Sequence, residues 1–549
     1  MDKICYTPLK ARCGETVPAL VLPSGDRFPL HSMVDPKREA RRLVSTIPQD
    51  TGFIIFLGLG GGFAAREALR NCAAKVIAIE YNNESVSSLL SIMDFSELLN
   101  NKHFTLLIDP SSEKIKNLVL ENYRPALCGG IKTIPLRART EHDAQKFGEA
   151  AAAIELAIES VACDYSVQAH FGRRWFSNII RNIKAMDSSE EGTNLYEKAD
   201  HLQVVNEAAI AAAGPSLDSQ LSLLAEFKLK GGLLISSDTA LPVLLYNNIK
   251  PDIAVSIDCQ HISYYHFSRG AGSNVPLILD IASPPLLRRF SSSVNFFSGG
   301  HPLSLYISRH WRRFPVLDAS GGNVTYACLS LAEYLGAKRI TLFGADFSYV
   351  RSRAYARGTY IYPFFEKKQN RLSPVESLFS AFLYRSPFLP KEKNMEQESE
   401  SADQVYHETA SLRFYRKKLE EKAEKMTAQV ISAKGQGAPI HLNNYKITTN
   451  NEQNTKNGEQ SPEKKGKTAE SGVEFLEKYR REIAALPAAG TDGAESGYLD
   501  TLCVKDREIF MTLLPLAAWL KHRNSALNTG GLIEEVKRFC IREIERLLE

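Results

Sequence analysis

Short apolar runs separated by stretches of helical periodicity set the pattern of this chain. Phe53-Ile54-Ile55-Phe56-Leu57 and Val76-Ile77-Ala78-Ile79 flank a helical stretch from Phe63 to Asn71. Strand, helix and strand within about thirty residues form a βαβ unit, which requires a parallel pair and a right-handed crossover. This places a first α/β domain over residues 1–145. Residues 146–199 open with Ala- and Glu-rich sequence such as EAAAAIELAIES, whose high helix propensity predicts a helical connector. From 200 to 445 the strand–helix alternation returns. Apolar runs at Ala208–Ala213, Leu233–Ser236, Ile253–Ile257, Leu277–Ile281, Asn295–Ser298 and Ile340–Phe343 predict strands, with helices after Ser216, Thr239 and Asn323. Continuous rather than alternating apolar runs are expected where both faces of a sheet are covered.

Within this second domain, Lys391–Gln404 (KEKNMEQESESADQ) is too polar to pack and is expected to form a mobile insertion. Residues 446–472, rich in Asn, Lys, Glu and Gly, predict a disordered linker. Helical periodicity in EFLEKYRREIAAL and LIEEVKRFCIREIERLLE predicts a helical C-terminal domain over 473–549. No repeat with a period of about 20–50 residues is present.

Length and composition narrow the class. At roughly 150 residues per domain, 549 residues predict three to four domains. Sixty-seven Lys and Arg against 63 Asp and Glu leave a net charge of +4, too weak to make nucleic acid or an anionic membrane the main partner. No run approaches the roughly eighteen apolar residues a membrane span needs. The start, MDKICYTPLKARCGE, has no apolar segment of the secretory kind. The nine cysteines are scattered, without a CxxC pair, so reduced thiols and a cytoplasmic location are expected.

Two regions carry candidate chemistry. In the first domain, Gly58-Leu59-Gly60-Gly61-Gly62 follows a strand and opens a helix, and Glu80 ends the next strand. Such a turn suits a nucleoside, because glycines admit a ligand to the backbone and a carboxylate can take ribose hydroxyls. It serves equally as a tight scaffold turn that binds nothing. In the second domain the clusters fall at strand ends, where open parallel sheets hold their ligands. Gly214-Pro215-Ser216 precedes a helix that Ser216 can cap, an arrangement suited to a phosphate or to a plain cap. Asp238 and Asp258 end strands and can meet a ribose, a base edge or a cation. The lack of a DxD pair weighs against a metal held between two diphosphate groups. Ser320-Gly321-Gly322-Asn323 opens another helix. The strand that follows ends in Gly344-Ala345-Asp346, and a loop with Tyr349, Tyr355, Tyr360, Arg351, Arg353 and Arg357 comes next.

In order, AAGPSLD, ISSDTALPVLL, KPDIAVSID and SGGNVTYACLSLAEYLGAKRITLFGADFSY resemble the central domain of motility accessory factor (Maf) proteins, bacterial flagellin glycosyltransferases of the MptE-like domain family. HSMVDPKREA, from His31, and RRWFSNIIRNI, with Trp175, Asn178 and Asn182, extend the resemblance over residues 31–445. It implies an α/β fold with a Rossmann-like N-terminal domain, a central sialyltransferase-like parallel α/β domain and a helical C-terminal domain.

The resemblance also implies roles. Gly214, Pro215 and Ser216 would line the nucleotide phosphate, Asp238 and Asp258 the nucleoside or sugar, and Ser320, Gly321, Gly322 and Asn323 the CMP or the sugar carboxylate. Asp346 would sit near the donor, with Tyr349 or Tyr355 donating to the departing phosphate. His407, in YHETASLRFY, stands where sialyltransferases carry a histidine base, although a long insertion precedes it here. The implied activity moves a nonulosonic acid of pseudaminic or legionaminic type from its CMP donor to Ser or Thr of flagellin in the cytoplasm. The chemistry requires no cofactor, and a role for a divalent metal stays open. The alternatives are a pterin pyrophosphokinase-like diphosphotransferase using ATP and Mg²⁺, and a non-catalytic flagellin-binding accessory protein.

Overall fold

A computed structural model describes residues 5–22, 24–71, 75–186, 205–351, 353–384, 406–442, 470–488 and 497–549. The insertion expected at Lys391–Gln404, the 446–469 part of the linker and the 187–199 part of the connector lie outside the described residues. The chain divides into two compact units: residues 1–173 with 480–546, and residues 174–479 with 547–549.

The first unit opens on an antiparallel sheet of β1 (Cys5–Lys10), β2 (Thr16–Val21) and β3 (Arg27–Pro29). A parallel sheet follows, built from β4 (Phe53–Leu57), β5 (Lys75–Glu80), β6 (Phe104–Ile108) and β7 (Ile131–Pro135) in the order β6-β5-β4-β7. The predicted βαβ unit is β4, the helix Phe63–Asn71 and β5. All five residues of β4 are buried, as a central strand demands. Of the helical C-terminal domain expected over 473–549, residues 480–546 group with this unit and residues 473–479 and 547–549 with the other. The helix Val504–Arg523 buries Ile509, Phe510, Leu513 and Leu516, and Thr529 Oγ1 donates to the Leu127 carbonyl at 3.0 Å.

Two amides of the glycine-rich turn are taken up within this unit. Leu59 N donates to Glu80 Oε1 (2.7 Å) and Gly61 N donates to His31 Nε2 (2.8 Å). Glu80, offered by the sequence to a ribose, pairs its other oxygen with Arg139 Nε at 3.0 Å, with both side chains at most 1% exposed.

The helix Ala144–Met186 is a single element of 43 residues, about 65 Å long at 1.5 Å per residue. It covers the described part of the predicted connector, residues 146–186, and the boundary between the units falls within it.

The second unit holds a seven-stranded, wholly parallel sheet: β8 (Glu207–Ala211), β9 (Leu233–Ser237), β10 (Ile253–Ser256), β11 (Leu277–Asp280), β12 (Val294–Phe297), β13 (Arg339–Phe343) and, past the Tyr349–Val350/Tyr406–His407 pair β14 and β15, β16 (Gln429–Ser432). Their order is β12-β11-β10-β9-β8-β13-β16. The six predicted strands are β8 to β13, and β16 is an added edge. The winding reverses between β8 and β13, so the crevice that open α/β sheets use for ligands lies beyond those two strands.

Replacing Arg139 with Met leaves the Glu80 carboxylate buried and unpaired. A loss of about 3–5 kcal/mol is expected in urea unfolding, with the double variant Glu80→Gln/Arg139→Met recovering a measurable part of it.

Candidate functional site at the carboxyl edge of the central sheet

Asp346 organises the crevice. It follows β13, is 4% exposed, and accepts from Ser216 N through Oδ2 at 2.7 Å. Its carbonyl accepts from Ala438 N (3.0 Å) and from Ser348 Oγ (3.0 Å). Ser216 does not cap the helix Leu217–Leu229 with its side chain, contrary to expectation. Its Oγ instead accepts from Gln436 N at 2.8 Å. Gln220, one helical turn on, receives Gly344 N (2.7 Å) and donates to Lys434 O (2.9 Å). The turn after β8, the turn after β13 and the loop 435–438 are thereby tied into one knot.

Two glycines in it are required by proximity. A Cβ on Gly214 would stand 2.4 Å from Asp346 Oδ2, and one on Gly437 would stand 2.5 Å from Asp346 Cα. The Ser216 amide that the sequence offered to a phosphate is therefore engaged by a carboxylate, which suits the positive end of a helix. Burial raises the Asp346 pKa, against the opposing pull of the Ser216 and Gly437 hydrogen bonds.

The remaining predicted residues divide between structural and open positions. Asn323 caps the helix Val324–Tyr334, accepting from Tyr326 N at 3.0 Å while Nδ2 donates to Gly321 O. Gly321 lies under the Tyr326 ring, and Ser320 N donates to Asp318. Ser320 and Gly322 are exposed. Arg353 is held by Asp218 at 2.9 Å, and Arg357 N donates to the same carboxylate. Tyr349 and His407 stand opposite one another on the two-stranded β14–β15 ladder. Cross-strand partners share a face, so two candidates distant in sequence are neighbours. His407 lies in this strand, two residues before the Thr409 cap of the next helix.

Asp238 is wholly buried. Its Oδ2 accepts from Ser256 Oγ (2.7 Å) and lies 3.3 Å from His266 Nδ1, while Oδ1 accepts from Thr239 N and Thr239 Oγ1. Burial works against the carboxylate, but His266 and these hydrogen bonds outweigh it and hold its pKa below the ordinary aspartate value. Asp258, partly exposed at the end of β10, accepts from Gln260 N and is shifted up by burial. Tyr355 is pushed well above the ordinary phenol range by burial and by Tyr360 and Tyr349, so it stays a proton donor.

Three contributors carry no motif in the sequence. His266 is an unremarked histidine in an aromatic segment. Gln220 is recognisable only as the residue one turn after Ser216. Asp280, at the end of β11, lies in an apolar run, and burial pushes its pKa up to about 6.

RRWFSNIIRNI has a structural task. Asn178 Nδ2 donates to Cys259 O and Ala282 O, and Asn182 Nδ2 donates to Ile281 O and Ser283 O, all at 2.8–3.1 Å. Two amides at i and i+4 on one helix face thus fasten the loops beyond β10 and β11. Among the described residues, no group of three or more His, Cys, Asp or Glu is placed to hold a metal ion, and no helix is long and apolar enough to cross a membrane.

Fold and strand-end geometry define an α/β protein whose central sheet is wholly parallel and whose candidate residues gather at the carboxyl ends of its strands. More particularly, residues 177–352 match the family described as 6-hydroxymethylpterin diphosphokinase MptE-like, so the chain carries an MptE-like domain. Its whole length (100%) shares the fold of the MAf glycosyltransferase from Magnetospirillum magneticum AMB-1, covering 91% of that chain at 13% identity and a TM-score of 0.54. Two uncharacterized proteins of Treponema pallidum (strain Nichols) are similar. One is 44% identical over 119 residues (21% of this chain, 42% of the relative), the other 32% identical over 108 residues (20% and 48%). The chain spans less than half the length of each of these curated relatives.

Gly214→Ala should lower stability by about 1–3 kcal/mol in urea unfolding, since the new methyl group meets both Asp346 and the Gly344 carbonyl. Asp280 supplies a pH test. Its folded pKa of about 6 lies above the unfolded value near 3.8, so folding favours the protonated form. Stability should fall as pH rises between those two values, and Asp280→Asn should flatten that slope.

Proposed function

We propose that this protein is a glycosyltransferase that moves a sugar from a nucleotide-activated donor to a hydroxyl acceptor. In its finer form, the donor is a CMP-activated nonulosonic acid and the acceptor a Ser or Thr of flagellin. The observation that carries the proposal is the fold shared over the whole chain with the MAf glycosyltransferase of Magnetospirillum magneticum. The central-domain motifs quoted for the motility accessory factor resemblance lie at the carboxyl ends of strands of the second unit's sheet and in the turns after them.

In this reading the cytidylate lies along the carboxyl ends of β8 to β10 and β13. Asp346 acts through the Gly214–Ser216 turn, which it shapes, rather than by touching the donor. The exposed Ser320 and Gly322 backbone and the hydroxyls of Tyr349 and Tyr355 meet the phosphate, which gains charge as the glycosidic bond breaks. Donors fixed in advance stabilise such developing charge without reorganisation. Asp258, partly exposed, would take a ribose or sugar hydroxyl.

A second reading, diphosphate transfer from ATP to a hydroxymethylpterin, is favoured by the family match over residues 177–352. Calorimetric titration of the full chain separates the two. CMP is expected to bind more tightly than about 1 mM, and ATP with Mg²⁺ more weakly. The reverse order favours the diphosphotransferase, and binding of neither favours an accessory protein. Deleting the gene should lower the intact mass of the host's flagellin by whole sugar increments, and Gly322→Ala should reproduce part of the loss. An unchanged flagellin mass counts against transfer to flagellin.

A further inference from the structure

His266 sits on the short helix Ser263–Ser268, in the connection after β10, and is 7% exposed. Its Nδ1 lies 3.3 Å from Asp238 Oδ2 and 3.5 Å from Thr239 Oγ1. The Asp238 carboxylate is itself fixed by Ser256 Oγ and by the Thr239 amide and hydroxyl, so it has no freedom to turn away. A carboxylate only accepts, which assigns the proton to Nδ1 and leaves the lone pair on Nε2. Among the described residues Nε2 has no hydrogen-bond partner. The Tyr360 ring lies over the imidazole at 4.6 Å between centroids, and Tyr355 is next in line at 6.0 Å from Tyr360. A carboxylate orienting one imidazole nitrogen while the other stays available is the arrangement of an activated general base.

We propose that His266 is the general base that takes the proton from the acceptor hydroxyl, with Asp238 as its positioning residue. The proposal rests on the reading of the protein as a transferase to an alcohol. As the acceptor oxygen forms its bond to the donor's anomeric carbon, the glycosidic C–O bond breaks and its electron pair leaves on the CMP phosphate. The hydroxyl proton passes to Nε2, and the resulting imidazolium is paired with Asp238. Diphosphate transfer would need the same proton acceptor. His407 faces Tyr349 on a two-residue ladder and has no carboxylate hydrogen-bonded to it among the described residues, which is why the geometry points to His266.

Titratable and charged groups reach His266's surroundings from several elements. Asp238 and Asp258 come from the strand ends and Tyr360 and Tyr355 from the tyrosine loop. The packed turn Pro285–Phe290 carries Arg288 and Arg289, and the helix Leu241–Tyr246 carries Tyr246. Burial lowers the imidazole's pKa, but Asp238 and then Asp258 overcome this and raise it above the ordinary value.

The test uses the purified full chain with CMP-N-acetylneuraminate as probe, following CMP release against pH. His266→Gln should lower kcat by about 10²–10⁴-fold, keep the CMP dissociation constant within about twofold and abolish the rise of kcat/KM with pH. Added imidazole should restore part of the rate to His266→Ala, which a purely structural role would not permit. Retention of rate and pH profile by His266→Gln overturns the proposal, as does loss of the rising limb in His407→Gln alone. If the wild type neither binds CMP nor releases it from the probe, the CMP-sugar reading fails by itself. Nitrogen-15 spectra of the histidines, recorded at a pH where the imidazole is neutral, then decide the base independently: Nδ1–H with a free Nε2 lone pair upholds the dyad, and a neutral ring with its proton on Nε2 overturns it.

Discussion

The central unit depends on one buried carboxylate. Asp346 stands beyond β13, beside the point where the sheet reverses its winding, and takes the Ser216 amide at the start of the following helix. A carboxylate there is favoured by the helix dipole and penalised by desolvation, and the raised pKa reflects that balance. Through Ser216 Oγ and the Asp346 carbonyl the same junction holds the loop 435–438, which arrives with the edge strand β16. Three turns far apart in sequence are set in place by this junction, and the surrounding strand ends are positioned relative to it.

A consequence is a division of labour among residues of one chemical type. Asp346 and Asp280 are spent on backbone amides, Asp218 on Arg353, and Asp318 on Ser320 and Tyr326. Asp238 alone of these faces an imidazole, and Asp258 keeps exposure to solvent. A row of acidic strand ends would repel an anionic donor, yet most of these carboxylates are already satisfied within the protein. The tyrosine-rich loop is likewise anchored, through Arg353 and the Arg357 amide, both held by Asp218.

Much of the fold was legible in the sequence. Strands buried on both faces read as continuous apolar runs, which is why β4, β5 and β8 to β13 were predictable. The Ala- and Glu-rich stretch became part of the helix Ala144–Met186 through its propensity and the apolar face it buries, with Ala150, Ile154 and Ala157 on that face. The less regular strands were not legible: β1 to β3 are short, partly exposed and interrupted by prolines, and β16 follows a polar helix with little apolar signal. The C-terminal helices announced themselves by periodicity, but periodicity says which face is apolar and not what covers it. Their place within the N-terminal unit follows from contacts such as Thr529 with Leu127.

The sequence by itself determined the type and order of the main elements, the parallel character of the central sheet and the gathering of glycine turns and carboxylates at its strand ends. These follow from local propensity and from the period of the hydrophobic pattern, both of which are written in consecutive residues. Only the tertiary structure decided what each polar residue does. Glu80 was paired with Arg139 and the Gly61 amide with His31, Asn323 was used as a cap, and Asp238 was joined to a histidine 28 residues away in sequence. The reason is that a hydrogen bond or ion pair is fixed by which groups meet when distant turns converge, and no local pattern encodes that meeting.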